Sequence, residues 1–530
     1  MKKEAACAIP TRARSTLGTE VPPVAAGMRP VVWSIAGSDS GAGAGLQADL
    51  KALQAFGVHG CTAVAVITAQ NSVAVTRVEP VSAELLDAQL SALAVDLPPL
   101  AIKTGLLGSV DNVRVVCEWV DRLRGQGLPV ALVVDPVLGA TTGASFAGED
   151  LVQAYVQELL PRATLVTPNR AEANRLLMAM GQVASASAPE VSTALAGLAP
   201  SRLSVVITGG DTPEHHGLAA DWLQCPQATG WLSLPRVDTI HHHGTGCTFA
   251  SSAAAALASG YCVADAVVLA KMATTHALRH AYAAGQGAGP VQALPDFAQH
   301  IDNLPAFTLP GATVALGAQR LQPFAPLSHP ALGVYAVVDS AAWVRRVLAA
   351  GIRTVQLRIK DPAEPTLATQ IQASIAAASA VPGAQLFIND HWPLAVQYGA
   401  YGVHLGQEDL DTVDLDALRQ AGVRLGLSTH SYWEVCRAWA QRPSYIACGP
   451  IFATHSKDMP WIPQGLGNLR YWASVLPLPV VGIAGIDASN MADVAATGAA
   501  SAAVISAITQ AADPQAACQT LIEAFTRGQA

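Results

Sequence analysis

Residues 301–330 read IDNLPAFTLPGATVALGAQRLQPFAPLSHP. Prolines stand at positions 305, 310, 323, 326 and 330. Each removes a backbone donor and turns the residue before it away from helix. Neither a helical nor an alternating pattern runs through the whole stretch. The residues before it and after it each carry their own strand–helix alternation. The stretch therefore reads as a linker between two α/β modules, the first over 30–300 and the second over 331–530. The chain length of 530 residues agrees, because it exceeds what a single core ordinarily organises.

The composition narrows the class. Hydrophobic residues make up 51% of the chain and charged residues 13%, with a net charge of −8. No basic footprint exists for nucleic acid or for an anionic membrane surface. The nine cysteines are odd in number and scattered, with no CxxC. That pattern fits a reducing cytoplasm and fits neither a disulfide framework nor a structural zinc site. Residues 1–29 hold two early lysines but no apolar core of signal-peptide length, so they read as a disordered lead-in. No run of about 18 apolar residues suggests a membrane span. The sequence leaves a homo-oligomer open.

In the first module the apolar run VVWSIA (31–36) stops at GSDSGAGAGLQAD (37–49). This is strand, Gly-rich loop, helix, with Leu46, Leu50, Leu53 and Phe56 at helical spacing. The loop reads either as a tight turn or as a backbone cradle for a ligand at a helix start. Further apolar runs, CTAVAVITAQN, AIKTGLL, PVALVVDPV, TLVTPN and SVVITGG, alternate with helix-compatible segments. They predict a parallel sheet covered on both faces, with ligands at the strand C-terminal ends. The stretch HHHGTGCTFASSAAAALASG begins at His241. Gly244 and Gly246 let amides point inward before an Ala-rich helix, which suits the charge that develops in phosphoryl transfer. Asn169 and Glu172 at another helix start could organise a hydrated Mg²⁺. His241–His243 cannot all face one site from a strand. His276 and His280 lie four apart, as zinc pairs do, but no third ligand accompanies them and they read as a solvated helix face.

In the second module eight apolar runs end in polar or glycine residues: GVYAVVD, TVQLRIK, QLFIND, GVHLGQ, RLGLST, YIACGPIF, PVVGIAG and SAAVIS. Eight β/α units in about 200 residues indicate a (β/α)₈ barrel with its site at the strand C-terminal ends. In TVQLRIK, Gln356, Arg358 and Lys360 alternate with Leu357 and Ile359, which puts the polar side chains on one face. An anion such as a diphosphate would satisfy them. Asn389-Asp390 and Asp409 end neighbouring units, so both carboxylates can reach one Mg²⁺. Thr454, Ser456 and Lys457 share a loop that suits a phosphate, and Gly485 and Ile505-Ser506 follow strands seven and eight. His404 and His430 read as hydrogen-bonded structural histidines.

The first module resembles the hydroxymethylpyrimidine/phosphomethylpyrimidine kinases of thiamine synthesis, which have a ribokinase-like α/β/α sandwich. The resemblance rests on AGSDSGAGAGLQAD, TAQN, KTGLL, VVDPV, TPNRAEA and HGTGC. It implies ATP-dependent phosphorylation of the pyrimidine alcohol and then of its monophosphate. It also implies that Gln70, Gly37, Asp39 and Leu106 hold the pyrimidine and that Glu172 helps hold Mg²⁺. Cys247 stands where relatives carry the base, with its thiol pKa lowered by the helix start. One departure is Thr208, where many relatives carry lysine.

The second module resembles thiamine-phosphate synthase through QLRIK, INDHWPLA, GVHLGQED, STH, GPIFATHSK and VISAI. This implies that pyrimidine diphosphate joins thiazole phosphate with loss of pyrophosphate. By the resemblance, Gln356, Leu357, Arg358, Ile359, Lys360, Asn389, Ser428 and Lys457 meet the pyrimidine diphosphate. Asp390 and Asp409 bind Mg²⁺, while Thr454, His455, Ser456, Gly485, Ile505 and Ser506 meet the thiazole phosphate. Val338, Ser456 and Ala484 depart from the usual residues.

Overall fold

The computed structural model describes residues 28–139, 147–210, 217–311, 321–453 and 462–530. The expected lead-in lies outside them except for its last two residues. The chain forms two compact units, divided within 312–320.

The first unit is built on ten strands: β1 (Val31–Ser38), β2 (His59–Gln70), β3 (Val75–Pro80), β4 (Ala101–Thr104), β5 (Ala131–Val134), β6 (Leu165–Val166), β7 (Ser204–Ile207), β8 (Leu218–Gln224), β9 (Thr229–Pro235) and β10 (Ala306–Thr308). They form one sheet in the order β10-β9-β8-β7-β6-β5-β4-β1-β2-β3. The six strands expected from the apolar runs form its parallel centre. The sheet is mixed rather than wholly parallel, because β3 and β8–β10 pair antiparallel at its two ends. Their sequences break the apolar runs with charge, as in VTRVEP and LAADWLQ. One face of the sheet packs on large side chains: Trp33 is fully buried, stands edge-on to Trp119 at 6.3 Å and donates its indole N–H to the Leu97 carbonyl. On helix Thr245–Ala258, Ala253–Ala256 are all fully buried. Their small side chains let this helix fit between the helices Gly45–Ala55 and Val263–Arg279.

The second unit is a closed barrel of eight parallel strands: β11 (Gly333–Val338), β12 (Thr354–Leu357), β13 (Gln385–Asn389), β14 (Gly402–Leu405), β15 (Arg424–Thr429), β16 (Tyr445–Cys448), β17 (Val480–Ile483) and β18 (Ser501–Val504). All eight expected runs supply a strand. Tyr335, Phe387 and Tyr445 fill the interior beside small residues such as Ala447 and Ala503. Gly426 makes room for this plug, since a Cβ there would lie 2.0 Å from the Tyr445 ring.

The expected linker is mostly structured. Its first part forms the short helix Ile301–Asn303 and then β10, which pairs with β9 and buries Phe307. Burial of that ring stabilises the unit by about 2–3 kcal/mol. Its last part closes the opposite, N-terminal end of the barrel. Arg419 covers the Phe324 ring at 4.6 Å, Leu327 joins the interior cluster, and the Ser328 amide donates to Tyr401 Oη. The prolines exclude helix but permit this pinned, extended path.

Ala484 has φ 78, a left-handed conformation that favours glycine. The Ala484→Gly variant should raise stability by about 1 kcal/mol, measured as an upward shift of the urea midpoint of the second unit.

Candidate active sites

In the first unit the sheet order reverses between β1 and β4, the kind of switch point beyond whose strand C-terminal ends open α/β sheets bind ligands. Asp39, on the loop after β1, is 4% exposed. It accepts hydrogen bonds from the amides of Gly41, Gly43 and Ala44 at 2.8, 3.0 and 2.8 Å, so the Gly-rich loop wraps around one carboxylate. His243 Nε2 lies 3.2 Å from Asp39 Oδ2 and 3.2 Å from the Gln70 amide. Burial opposes ionisation of Asp39, but the bonds to His243, Ala44 and Gly41 outweigh it and hold the carboxyl below its ordinary value. A carboxylate only accepts, so His243 Nε2 carries the proton that it gives to Asp39. Gly244 has φ 84, and a Cβ there would lie 2.0 Å from the Gly43 oxygen. The two glycine loops touch because neither carries a side chain. Gly37 lies beside Leu106, so Gly37, Asp39, Gln70, Leu106 and Gly244 come together.

Lys103, inside β4, is fully buried. Its ammonium lies 2.9 and 3.0 Å from the two Asp49 oxygens and 3.8 Å from Asp135 Oδ2. Asp49 also accepts from Ser34 at 2.6 Å and Ser251 at 2.7 Å. One carboxylate thus ties β1, β4 and the helices Gly45–Ala55 and Thr245–Ala258 together. Burial would discharge Lys103, but Asp49 and Asp135 outweigh it, and the ammonium stays charged. Burial pushes Asp135 up to about 6, with Lys103 pulling it down and Asp49 pushing it up. Gly246 faces Asp135, with its Cβ position 4.0 Å from Oδ2.

At the mouth of the barrel, Gln356 is buried within β12, whereas Arg358 and Lys360 stand past the strand end. With Val338, Ser340, Ile359 and Ile505 they line a cavity of about 690 Å³. Asn389 is the buried last residue of β13. Asp390 follows it at φ 60, a sparsely used conformation for a residue with a side chain. Burial, then the neighbouring Asp409, raise the Asp390 carboxyl to about 6, while Arg358 and His391 pull it down. Asp409 Oδ2 accepts the Gly406 amide at 2.7 Å. Ser428, half-buried on β15, has its hydroxyl 2.8 Å from His404 Nε2. Burial lowers the pKa of His404 to about 3, with Arg358 and His430 adding repulsion, so the imidazole is neutral.

Residues 39–292 match the family model of phosphomethylpyrimidine kinase, and residues 334–508 match that of thiamine monophosphate synthase. A thiamine-phosphate synthase of Pectobacterium atrosepticum is 52% identical over 203 residues, which are 38% of this chain and 94% of that protein. A probable thiamine biosynthetic bifunctional enzyme, chloroplastic, of Oryza sativa subsp. japonica is 34% identical over 479 residues, 88% of this chain and 82% of that one. The chain belongs to the bifunctional thiamine biosynthesis enzymes. This bifunctional enzyme joins a hydroxymethylpyrimidine/phosphomethylpyrimidine kinase of ribokinase-like fold to a thiamine-phosphate synthase barrel. A pyridoxal kinase of Staphylococcus aureus in complex with ADP is 30% identical over 50% of this chain and 93% of its own, with a TM-score of 0.44. Among the described residues no helix is long and apolar enough to cross a membrane.

Several expectations for the bifunctional enzyme need correction. The thiol of Cys247 is not lowered by its helix start. Burial pushes it up to about 12 against the pull of Lys103, and Asp49 and Asp135 add to the rise. Glu172 is a capping-box residue as well as an acid: its two oxygens accept the amides of Leu138 and Asn169, which leaves each oxygen a further lone pair. His276 is buried, not solvated. The Asn303 amide group donates to the Phe297 carbonyl while its oxygen accepts from Arg279. That orientation makes His276 Nδ1 an acceptor and places the proton on Nε2, facing Asp296 at 3.1 Å. Such a nitrogen has no lone pair for a metal, although His276, Asp296 and His300 lie close together. Thr454, His455, Ser456 and Lys457 lie outside the described residues. Gly485 (φ 67) and Ile505-Ser506, at the start of a four-residue helix, follow β17 and β18 as expected. Reading by residue type missed Asp49, Lys103 and Asp135 as one cluster, although they sit inside LQAD, KTGLL and VVDPV.

Lys103→Met leaves buried carboxylates without their cation and should destabilise the first unit by about 3–5 kcal/mol, measured by urea unfolding. Because a thiol near 12 is almost wholly protonated at neutral pH, iodoacetamide should label Cys247 far more slowly than an ordinary thiol between pH 7 and 9. Peptide mass mapping over time measures this.

Proposed function

We propose that the kinase crevice holds the pyrimidine between Asp39, Gln70, Gly37 and Leu106, and that the amides of the Gly244–Cys247 turn receive the phosphoryl group of ATP. The meeting of the two glycine loops around Asp39 and His243 supports this, because it brings a polar recognition site beside the start of a 14-residue helix. Lys103 holds Asp135 in place by charge. At neutral pH the Cys247 thiol beside it holds its proton.

In the barrel, Arg358 and Lys360 hold the diphosphate of the pyrimidine, with Asn389, Gln356 and Ser428 beside it. Leu357 and Ile359 shape that wall. Gly485, Ile505 and Ser506 receive the thiazole phosphate. The observation that carries this reading is the pairing of Asp390 and Asp409 beside Arg358. Asp390, whose carboxyl is raised by burial and by the neighbouring Asp409, forms with Asp409 a hard oxygen donor set that fits Mg²⁺. Bound there, the cation would neutralise charge on the leaving pyrophosphate. Arg358 adds fixed positive charge, and an aminopyrimidine can stabilise the methylene cation left behind. The absence of disulfides among the eight described cysteines accords with a cytoplasmic setting.

One incubation tests the whole sequence: hydroxymethylpyrimidine, ATP, Mg²⁺ and thiazole phosphate should yield thiamine phosphate. Asp390→Ala should stop pyrophosphate release while the pyrimidine diphosphate accumulates. Affinity for Mg²⁺ at the synthase site, read by calorimetry, should fall as pH drops through about 6, because proton and cation compete for Asp390. Unchanged turnover in the variant would remove the metal assignment.

A further inference from the structure

Five side chains form a continuous hydrogen-bonded chain through the inside of the barrel. Gln356 Nε2 lies 3.3 Å from Tyr335 Oη, Tyr335 Oη 2.8 Å from Tyr445 Oη, Tyr445 Oη 2.7 Å from His404 Nδ1, and His404 Nε2 2.8 Å from Ser428 Oγ. They come from β12, β11, β16, β14 and β15. All except Ser428 are buried, and Ser428 is half-exposed at the mouth. Gly426 is the opening through which the Tyr445 ring crosses the interior.

The donors and acceptors of this chain can be ordered. A neutral imidazole has one donor and one acceptor, and a phenol has one hydrogen to give. With the Gln356 NH₂ facing Tyr335, Tyr335 can direct its own hydrogen only to Tyr445. Otherwise a fully buried hydroxyl would keep an unpaired hydrogen, which costs about 1–3 kcal/mol. Tyr445 then donates to His404 Nδ1, and His404 donates from Nε2 to Ser428. The Ser428 hydrogen is left to point outward. The reverse order requires the Gln356 oxygen to face Tyr335, and Ser428 would then spend its hydrogen on His404. A diphosphate accepts and does not donate, so only the first order gives it a hydrogen bond from Ser428.

We propose that Tyr335, Tyr445 and His404 are positioning residues of the synthase, acting as a one-way relay that fixes the His404 Nε2–H tautomer and makes Ser428 a hydrogen-bond donor to the diphosphate. The choice of direction rests on the diphosphate reading given above. His404 is accordingly not the base for Ser428, despite their contact. Swapping the direction anywhere in the relay swaps it everywhere, because each member has a single hydrogen to place.

The test is ¹⁵N NMR of the full-length enzyme with labelled histidine, with the His404 signals identified by their loss in His404→Gln. The expected result is a protonated Nε2 and a bare, hydrogen-bonded Nδ1, with Nδ1 losing that bond in Tyr445→Phe. A protonated Nδ1, or protons on both nitrogens, would overturn the relay. Tyr445→Phe and Tyr335→Phe should each lower synthase kcat about tenfold, the equivalent of one hydrogen bond, with KM for thiazole phosphate unchanged. Wild-type kcat in both variants would also overturn it. The diphosphate reading is tested separately. Ser428→Ala should weaken the binding of inorganic pyrophosphate with Mg²⁺ by calorimetry, and unchanged affinity would remove that reading while the tautomer result stands.

Discussion

A parallel strand covered on both faces has room for charge only at its ends. Both units follow from that constraint. The apolar interiors of β1, β4 and β5, and of all eight barrel strands, push polar residues to the C-terminal edge. There backbone groups run out of ladder partners and the loops can gather side chains from strands distant in sequence. Asp39, Gln70 and His243 meet in this way in the first unit. Arg358, Asp390 and Asp409 meet in the same way in the second.

The exceptions to the constraint are instructive. Lys103 is a charge inside a strand, and it persists because Asp49 answers it with both oxygens and two serines complete the shell. Removing either partner would strand the other, whereas the assembled pair makes four elements depend on each other. Inside the barrel, Gln356 and His404 are polar but neutral, and they are answered by tyrosine hydroxyls. One unit tolerates interior polarity by pairing charges and the other by passing hydrogens along a line. Cys247 shows the reach of the first solution: its thiol takes its character from burial near Asp49 and Asp135 more than from the helix on which it sits.

Much of this was legible in the sequence, for physical reasons. Every parallel strand of the first sheet and all eight barrel strands announce themselves as apolar runs, since burial on both faces requires it. The strands β3, β8, β9 and β10 were not foreseen, because edge and antiparallel strands mix polar residues into short runs. The pairing of Asp390 with Asp409 followed from neighbouring units. The Lys103–Asp49–Asp135 cluster did not, because its members lie 54 and 32 positions apart in sequence and share no period. Glu172 shows a limit of residue type: an acid three positions into a helix reads as a ligand, and only the placement of the Leu138 and Asn169 amides shows that it is also a cap.

The fate of residues 301–332 bears on how the two activities could be taken apart. Phe307 completes the edge of one sheet, and Phe324 and Leu327 stop the bottom of the barrel. A truncation at residue 300 would strip the kinase of its last strand, and a synthase begun at residue 331 would start with an open base. Both fragments would expose aromatic surface and invite aggregation. A gene split that respects each core falls between residues 311 and 321, so the dividing line between the enzymes is far narrower than the proline-rich stretch that first marked it.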